Sequence, residues 1–490
     1  MKNLYYCDDV AKIDKISQES YNQPGLILME QAGLKAWQFI KSKINIDDNI
    51  LIIAGGGNNG GDSLVVARCA INDGYNNVSI VYCSNKYSET SKIQKKILNS
   101  YNLKTYNLNE YDDKYITSVI EKSNVIIDGI TAIGLKTKLR DNIINVIEKI
   151  NKSESIIFSI DVPSGLSDII NNECVKANYT ISMGPQKLLY YYHKNIINCG
   201  EIYEINPSFP PKVVSEIDEK AYIEDNYEIN LKPLNKTDYK KTRGHLAVFG
   251  GSEKYPGALI LSSKSAFSTR VGLVSAYCDN EIYSIIACES PSIIARKNNE
   301  ILDLNQYDSL LVGPGWSINR ESLLNKILEY NIPLVLDADG IRAYSNLYKQ
   351  GRIINNKNII FTPHLGELKL MIDAVLPNQK YDNTLDFIDC LNSLSNKLNS
   401  VIVCKASVIY VVAPNKKPLV LKRLNPSLGV AGSGDVLAGC IAAILAKTKD
   451  LYYSAIEGAK IHSNAGMLAR EDWGFYTSEE LIKYIGKQLS

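Results

Sequence analysis

The stretch "IIAGGGNNGGDSLVVARCA", Ile52 to Ala70, constrains the fold of this 490-residue chain more than any other feature. An apolar run stops at glycines and a helical pattern begins beyond them, which reads as strand, tight loop, helix. Glycines let the backbone approach an anion, and the unpaired N–H groups at a helix start point at it. Gly55, Gly57 and Gly60 also satisfy G-x-G-x-x-G. An ordinary Rossmann dinucleotide site further needs a carboxylate at the end of the second strand, to hold ribose hydroxyls. Here that strand ends "VYCSNKY", with no carboxylate before Glu89. The loop therefore reads as an anion site, but not that of a plain NAD dehydrogenase. A turn needed only for packing leaves Asn58, Asn59 and Asp62 unexplained.

Both halves continue the alternation of strand and helix that implies βαβ units and a parallel sheet. In the first half, strands are expected within 49–55, 77–83, 123–129 and 155–165. In the second they fall within 244–252, 309–315, 333–340, 358–364 and 400–407. The length asks for more than one domain. "NPSFPPKVVSEI" and the polar stretch after it interrupt the pattern, so the expected domains are residues 1–217 and 225–490.

The balance of charges excludes several classes. A formal net charge of +1 calls for neither nucleic acid nor an anionic membrane. No apolar run approaches the ~20 residues that span a bilayer. Asp8 and Asp9 stand where a signal peptide needs apolar residues. The ten cysteines are never closer than ten positions (Cys278 and Cys288), which speaks against zinc and disulfide frameworks and for reduced thiols in the cytoplasm.

Carboxylates mark the expected ligand crevice at the carboxyl ends of the strands. Asp128 in "IIDGITAIGL" and Asp161 in "SIDVPSGL" both fall there. Asn59, Asp128 and Ser164 would supply hard oxygen donors, suited to a hard cation rather than zinc. Taken singly, each Asp could be a helix cap or turn residue, but three strand-end sites in one domain favour a shared site. In the second half, "GVAGSGD" precedes a long apolar helix. Gly432, Ser433 and Gly434 can offer N–H groups to a phosphoryl group, with Asp435 as a base. Taken alone, a packing turn with Asp435 as helix cap fits as well.

The first half resembles the NAD(P)HX epimerase family, on "YNQPGLILMEQAG", "GGGNNGGDS", "IIDGITAIGL", "IDVPSGL" and "VKANYTISMGPQKL" in order, over about residues 8 to 205. The resemblance implies a Rossmann-like three-layer αβα domain that interconverts the R and S forms of NADHX and NADPHX. These are nicotinamide nucleotides hydrated at C6 of the ring. It implies substrate binding by Asn58, Asn59, Gly60, Gly61 and Asp62, and by Ala132, Ile133, Gly134, Leu135, Lys136, Thr137 and Lys138. It also implies potassium held by Asn59, Asp128 and Ser164, and Asp161 as the catalytic group at the ring. Ser63, Gln31 and Ala132-Ile133 depart from the common pattern of glycine, asparagine and Gly-Thr.

The second half resembles the NAD(P)HX dehydratases, relatives of ribokinase-like kinases, on "GHLAVFGGSEKYPGA", "LLVGPGW", "VLDADG", "FTPHLGE", "VCKAS" and "AKIHSNAG". This implies a ribokinase-like α/β domain that phosphorylates the C6 hydroxyl from ADP or ATP with Mg2+ and then eliminates phosphate. Ala258, Gly315, His364 and Asp435 would contact the hydrated nucleotide. Lys405, Ala406, Ser407, Val408, Ile409 and Gly434 would bind the adenine nucleotide, with Asp435 as base. Ala406 stands where glycine is common, and Trp316-Ser317 where Leu-Gly is usual. A strand-end His364 can be a satisfied surface group, but its place in T-P-H-x-G-E favours function, and His245 and His462 read as structural. A cytoplasmic homo-oligomer is expected. A ribokinase-type kinase with a non-catalytic Rossmann-like domain, or a nucleotide-binding scaffold, stays open as an alternative.

Overall fold

The computed structural model describes residues 1–300, 303–352, 358–422 and 424–489. The chain divides into two compact units. The first comprises Asn3–Ala221 with Tyr381–Phe387, and the second Met1–Lys2, Tyr222–Lys380 and Ile388–Ser490.

The sheet of the first unit holds β1 (Ile50–Ala54), β2 (Val78–Tyr82), β3 (Lys104–Asn107), β4 (Val125–Gly129), β5 (Ile156–Ile160), β6 (Tyr179–Met183) and β7 (Glu201–Ile205). Their order is β3-β2-β1-β4-β5-β6-β7, and every pair is parallel. Strands covered on both faces need continuous apolar runs rather than alternation. Ile50, Leu51, Ile52 and Ile53 meet that demand. Ile50 and Ile52 pack with Trp37 and Leu64 on one face, while Leu51 and Ile53 pack with Ile116 and Ile147 on the other. The result is the expected three-layer arrangement. The chain winds outward from β1 in both directions, so a crevice opens beyond the carboxyl ends of β1 and β4.

The glycine loop leads from β1 into α1 (Asn58–Asn72), whose N-cap is Gly57. Close backbone approach dictates two of its glycines. A Cβ on Gly55 would lie 2.0 Å from the Ile130 carbonyl oxygen, and one on Gly60 would lie 2.1 Å from that of Gly55. Ser63 is helical and donates to the Gly60 carbonyl at 2.7 Å. Its φ is not positive, so serine is tolerated there without backbone strain.

The second unit holds β8 (Ala221–Glu224), β9 (His245–Phe249), β10 (Leu273–Cys278), β11 (Ile294–Lys297), β12 (Ser309–Val312), β13 (Leu334–Leu336), β14 (Ile359–Phe361), β15 (Val401–Lys405), β16 (Ile409–Val412) and β17 (Leu419–Leu421). They run in the order β8-β17-β16-β15-β14-β13-β12-β9-β10-β11. The sheet is parallel from β15 to β11, whereas β15, β16 and β17 pair antiparallel. The glycine turn enters α4 (Ser433–Thr448), which packs against α2 (Pro256–Ser268) and α5 (Leu451–Trp473). Every residue of α4 from Val436 to Ala446 is buried, so its all-round apolarity marks a central core helix. Among the described residues, no helix is long and apolar enough to cross a membrane.

Candidate active sites

Beyond the carboxyl ends of the first sheet lies a cavity of about 400 Å³, lined by Asn58, Asn59, Asp62, Ala132, Ile133, Gly134 and Asp161 among others. Asp161 follows β5 with φ +64°, a left-handed conformation that costs a non-glycine residue energy unless its surroundings enforce it. Here they do. The Tyr190 hydroxyl donates to the Asp161 carbonyl at 2.7 Å, and the Met183 N–H donates to its carboxylate at 3.0 Å. The ammonium of Lys187, completely buried, donates to the same carboxylate oxygen at 2.6 Å and also to Ser182 and Met183. Lys187 lies in "GPQKL", outside the residues expected from the sequence. Its signal was a lone lysine followed by the apolar "LLYYY".

Two further carboxyls share this cavity. Burial pushes Asp62 well above the usual carboxylate range, with the negative charges of Asp161 and Asp14 adding to it. Burial raises Asp14 too, against a hydrogen bond from Gln18. The cavity thus combines a carboxylate paired with an ammonium and two carboxyls raised by burial. Gly60 and Gly61 sit in the first turn of α1, where close packing requires them. Leu135, Thr137 and Lys138 line a second cavity of about 420 Å³. Lys136 is exposed and pairs with Asp8 at 3.1 Å.

The expected oxygen donors converge behind the loop. Asp128, fully buried in β4, accepts from Ser164 Oγ (2.5 Å) and N–H (2.9 Å), Ser159 Oγ (2.8 Å) and the Ile130 N–H (3.2 Å). Burial still raises its carboxyl above the ordinary value against those bonds. Asn59 donates to the Thr131 carbonyl at 2.9 Å, while its side-chain oxygen is buried with no partner. A buried acceptor without a protein donor can take a water or an ion. One carboxylate, one amide oxygen and one hydroxyl suit a hard monovalent ion, provided that the Ser164–Asp128 hydrogen bond loosens to free a lone pair.

In the second unit, the turn before α4 places Gly432 at φ +86°, where glycine is at home. Ser433 opens the helix, its hydroxyl 3.1 Å from His462 Nε2 on α5. His462 is buried and pushed down to about 4 by burial, so this ring is neutral. Asp435 lies in the first turn. Burial pushes it up to about 8, with Asp337 adding to the shift and Lys405 opposing it. Lys405 ends β15 and donates to Asp337 at 2.7 Å; Asp337 also accepts from Thr362 at 2.7 Å. Burial works to lower Lys405, but Asp337 and Glu367 outweigh it and hold the ammonium above its ordinary value. A Cβ on Gly434 would lie 3.4 Å from Lys405 Nζ, which fixes that charge at the helix start. Asp337 is the residue that sequence reading passed over inside "VLDADG".

The remaining expected positions surround this array. Gly315 has φ +59°, and a Cβ there would come 2.8 Å from Ala258 Cβ. Ser317 adopts φ +68° at a position where glycine is usual, held by its N–H to Asp339 at 2.8 Å. His364 caps α3 (Leu365–Val375). Its Nδ1 accepts from the Gly366 and Glu367 N–H groups, and the side chain remains 60% exposed. Its Nε2 lies 3.3 Å from Glu367 Oε1, so both ring nitrogens have partners within the cap and a ligand would meet the exposed part of the ring. Ala406, Ser407 and Val408 form the turn between β15 and β16, where Ile409 begins; Ser407 is exposed and Val408 buried.

Residues 25–189 match the family described as YjeF-related protein N-terminus, and residues 246–487 match NAD(P)H-hydrate dehydratase. A bifunctional NAD(P)H-hydrate repair enzyme of Thermofilum pendens is 26% identical, the match covering 98% of this chain and 95% of that protein. One of Dictyoglomus turgidum is 27% identical, covering 98% and 97%. This chain belongs to the bifunctional NAD(P)H-hydrate repair family. An ADP-dependent (S)-NAD(P)H-hydrate dehydratase of Lactococcus lactis is 29% identical over 50% of this chain and 88% of its own length. The first match of this repair-family chain falls within the first compact unit, and the second falls in the second unit apart from Tyr381–Phe387.

Proposed function

We propose that the first unit epimerises R- and S-NAD(P)HX and that the second dehydrates the S form to NAD(P)H. Asp435 carries the reading. It is a carboxyl raised toward neutrality at a glycine-lined helix start, beside the Lys405–Asp337 pair. That helix start can stabilise a transferring phosphoryl group while Asp435 takes the proton of the C6 hydroxyl. The hydroxyl oxygen then bonds to phosphorus and the spent nucleotide leaves. Phosphate departs from C6 with the C–O electron pair, and loss of a C5 proton restores the double bond. Lys405, Gly434 and the turn 406–409 bind the adenine nucleotide with Mg2+; Ala258, Gly315 and His364 hold the substrate ring. ADP is the donor in this reading.

In the first unit Asp161 works at the ring, Asn58, Asp62 and the segment 132–138 bind the substrate, and Asn59, Asp128 and Ser164 hold potassium. A crystal grown in potassium salt should show a multiply oxygen-ligated peak there; a water with hydrogen-bond geometry refutes the ion. A cytoplasmic location fits ten cysteines, seven of them buried. The exposed Trp473 and Phe475 offer an apolar surface for a homo-oligomer, which light scattering would test.

The deciding assay follows absorbance at 340 nm from mixed NADHX epimers, with ADP or ATP. Full recovery with release of free phosphate is expected. Accumulation of a stable phosphorylated product would instead mark a kinase.

A further inference from the structure

The second cavity of the first unit has a composition unlike its neighbour. It lies beyond the carboxyl ends of β2, β1 and β4, between the glycine loop, the segment after Cys83 and the segment from Ile130 to Ile143. Its charged lining residues are Lys86, Lys138 and Arg140, without a single carboxylate. All three are exposed, and none forms an ion pair with a described residue. Arg140 and the buried Cys83 line the same cavity.

The position of Lys86 decides the chemistry. It follows β2, the strand whose end carries the ribose-binding carboxylate in NAD sites or faces a cation in NADP sites. Here Lys86 stands on a tight turn. Ser84 donates to its carbonyl at 2.9 Å and accepts its N–H at 3.1 Å. That carbonyl in turn presses on the glycine loop, where a Cβ on Gly56 would lie only 1.9 Å from it. The turn is thus fixed against the loop that joins the two cavities. Gly57 borders both, and the segment 132–140 runs from one to the other.

We infer that this second cavity is the subsite for the adenosine 2′-phosphate of NADPHX, with Lys86 and Arg140 as its specificity-determining cations. This rests on the epimerase reading of the first unit. The nicotinamide end enters the cavity of Asp161, the diphosphate crosses the glycine loop, and the phosphorylated ribose meets the three cations. A dianionic phosphate gains the most from such a cluster, because these cations have no ion pair to break before they meet it. The epimerase then favours the phosphorylated substrate over NADHX.

The test uses the full chain carrying Asp435→Asn, so that epimerisation is read alone by chromatographic separation of R and S forms. The readout is the ratio of kcat/KM for NADPHX to that for NADHX. Lys86→Ala and Arg140→Ala are each expected to lower this ratio tenfold or more, chiefly through KM, and Lys86→Glu further still. A ratio that stays constant while both values fall would make the cavity a diphosphate site and overturn the inference. A ratio and values that both stay constant would overturn it as well. If the unaltered chain epimerises neither substrate, the functional reading has failed. The subsite is then judged by calorimetry with 2′-phospho-ADP-ribose and ADP-ribose, where Lys86→Ala must erase a preference for the former or refute it.

Discussion

At the scale of single residues, the two sites use burial in different ways. Asp435 is lifted to about 8 by desolvation and by Asp337. Below that pH it carries its proton and cannot accept another, so kcat/KM for dehydration should rise about tenfold per pH unit up to about 8 and then level. The same shift makes the protonated carboxyl favour folding, a contribution present at acid pH and lost as pH rises through about 8. Asp435→Asn should cost about 10²–10⁴-fold in dehydration, while R/S exchange, catalysed in the other unit, is unchanged. Dehydration near the unaltered rate would disprove the base. In the first unit, Lys187 has no exposed surface and its ammonium answers Asp161. Lys187→Met strands that carboxylate, and breaking a buried pair costs about 3–5 kcal/mol. Thermal melts should show the first unit destabilised, and Asp161→Asn in the same chain should restore part of the loss. Equal melting of Lys187→Met and the unaltered chain would show that the pair is not a coupled one.

Among elements, the loop before α1 gives the sharpest contrast. Gly60→Ala gains helix propensity of about 1 kcal/mol, yet its Cβ must displace the Gly55 backbone only 2.1 Å away. The steric term wins, so epimerisation should collapse while dehydration persists. Gly486→Ala, in the helix Ser478–Gln488 with open space around it, should be neutral or slightly stabilising. Melting curves that move both variants the same way would contradict this. The loop was legible because β1 is buried on both faces and so leaves a continuous apolar run. Strands β6 and β7 were not, because "YTISM" mixes hydroxyls into its core face and "EIYEI" is an exposed edge. Strand β16 is only "IYVV", too short for a period to show. Asp337 escaped for a different reason. Two aspartates in "DAD" should share a face, but Ala338 at φ +47° breaks the alternation, and Asp337 alone bonds Lys405. Distant pairing of Lys187 with Asp161, or of His462 with Ser433, leaves no local pattern to read.

On the scale of the whole molecule, the two activities make chemical sense together. Hydration at C6 gives both epimers, whereas a dehydratase that binds a chiral carbon in one pocket takes only one. The residues of each candidate site lie within one compact unit, so one site can be altered without touching the other. Asp161→Ala removes the carboxylate held by Lys187, Met183 and the strained turn after β5. With ADP and a mixture of NADHX epimers, this variant should clear the S form at the unaltered rate. The R form must then wait for uncatalysed exchange. Recovery of absorbance at 340 nm therefore becomes biphasic, the slow phase having the same rate constant however much variant is added. Adding the Asp435→Asn chain, whose epimerase is intact, should abolish the slow phase, since the substrate need only diffuse between proteins. A slow phase that scales with the concentration of Asp161→Ala would show epimerisation without that carboxylate. A biphasic course in the unaltered protein would show that the first unit binds the nucleotide without turning it over.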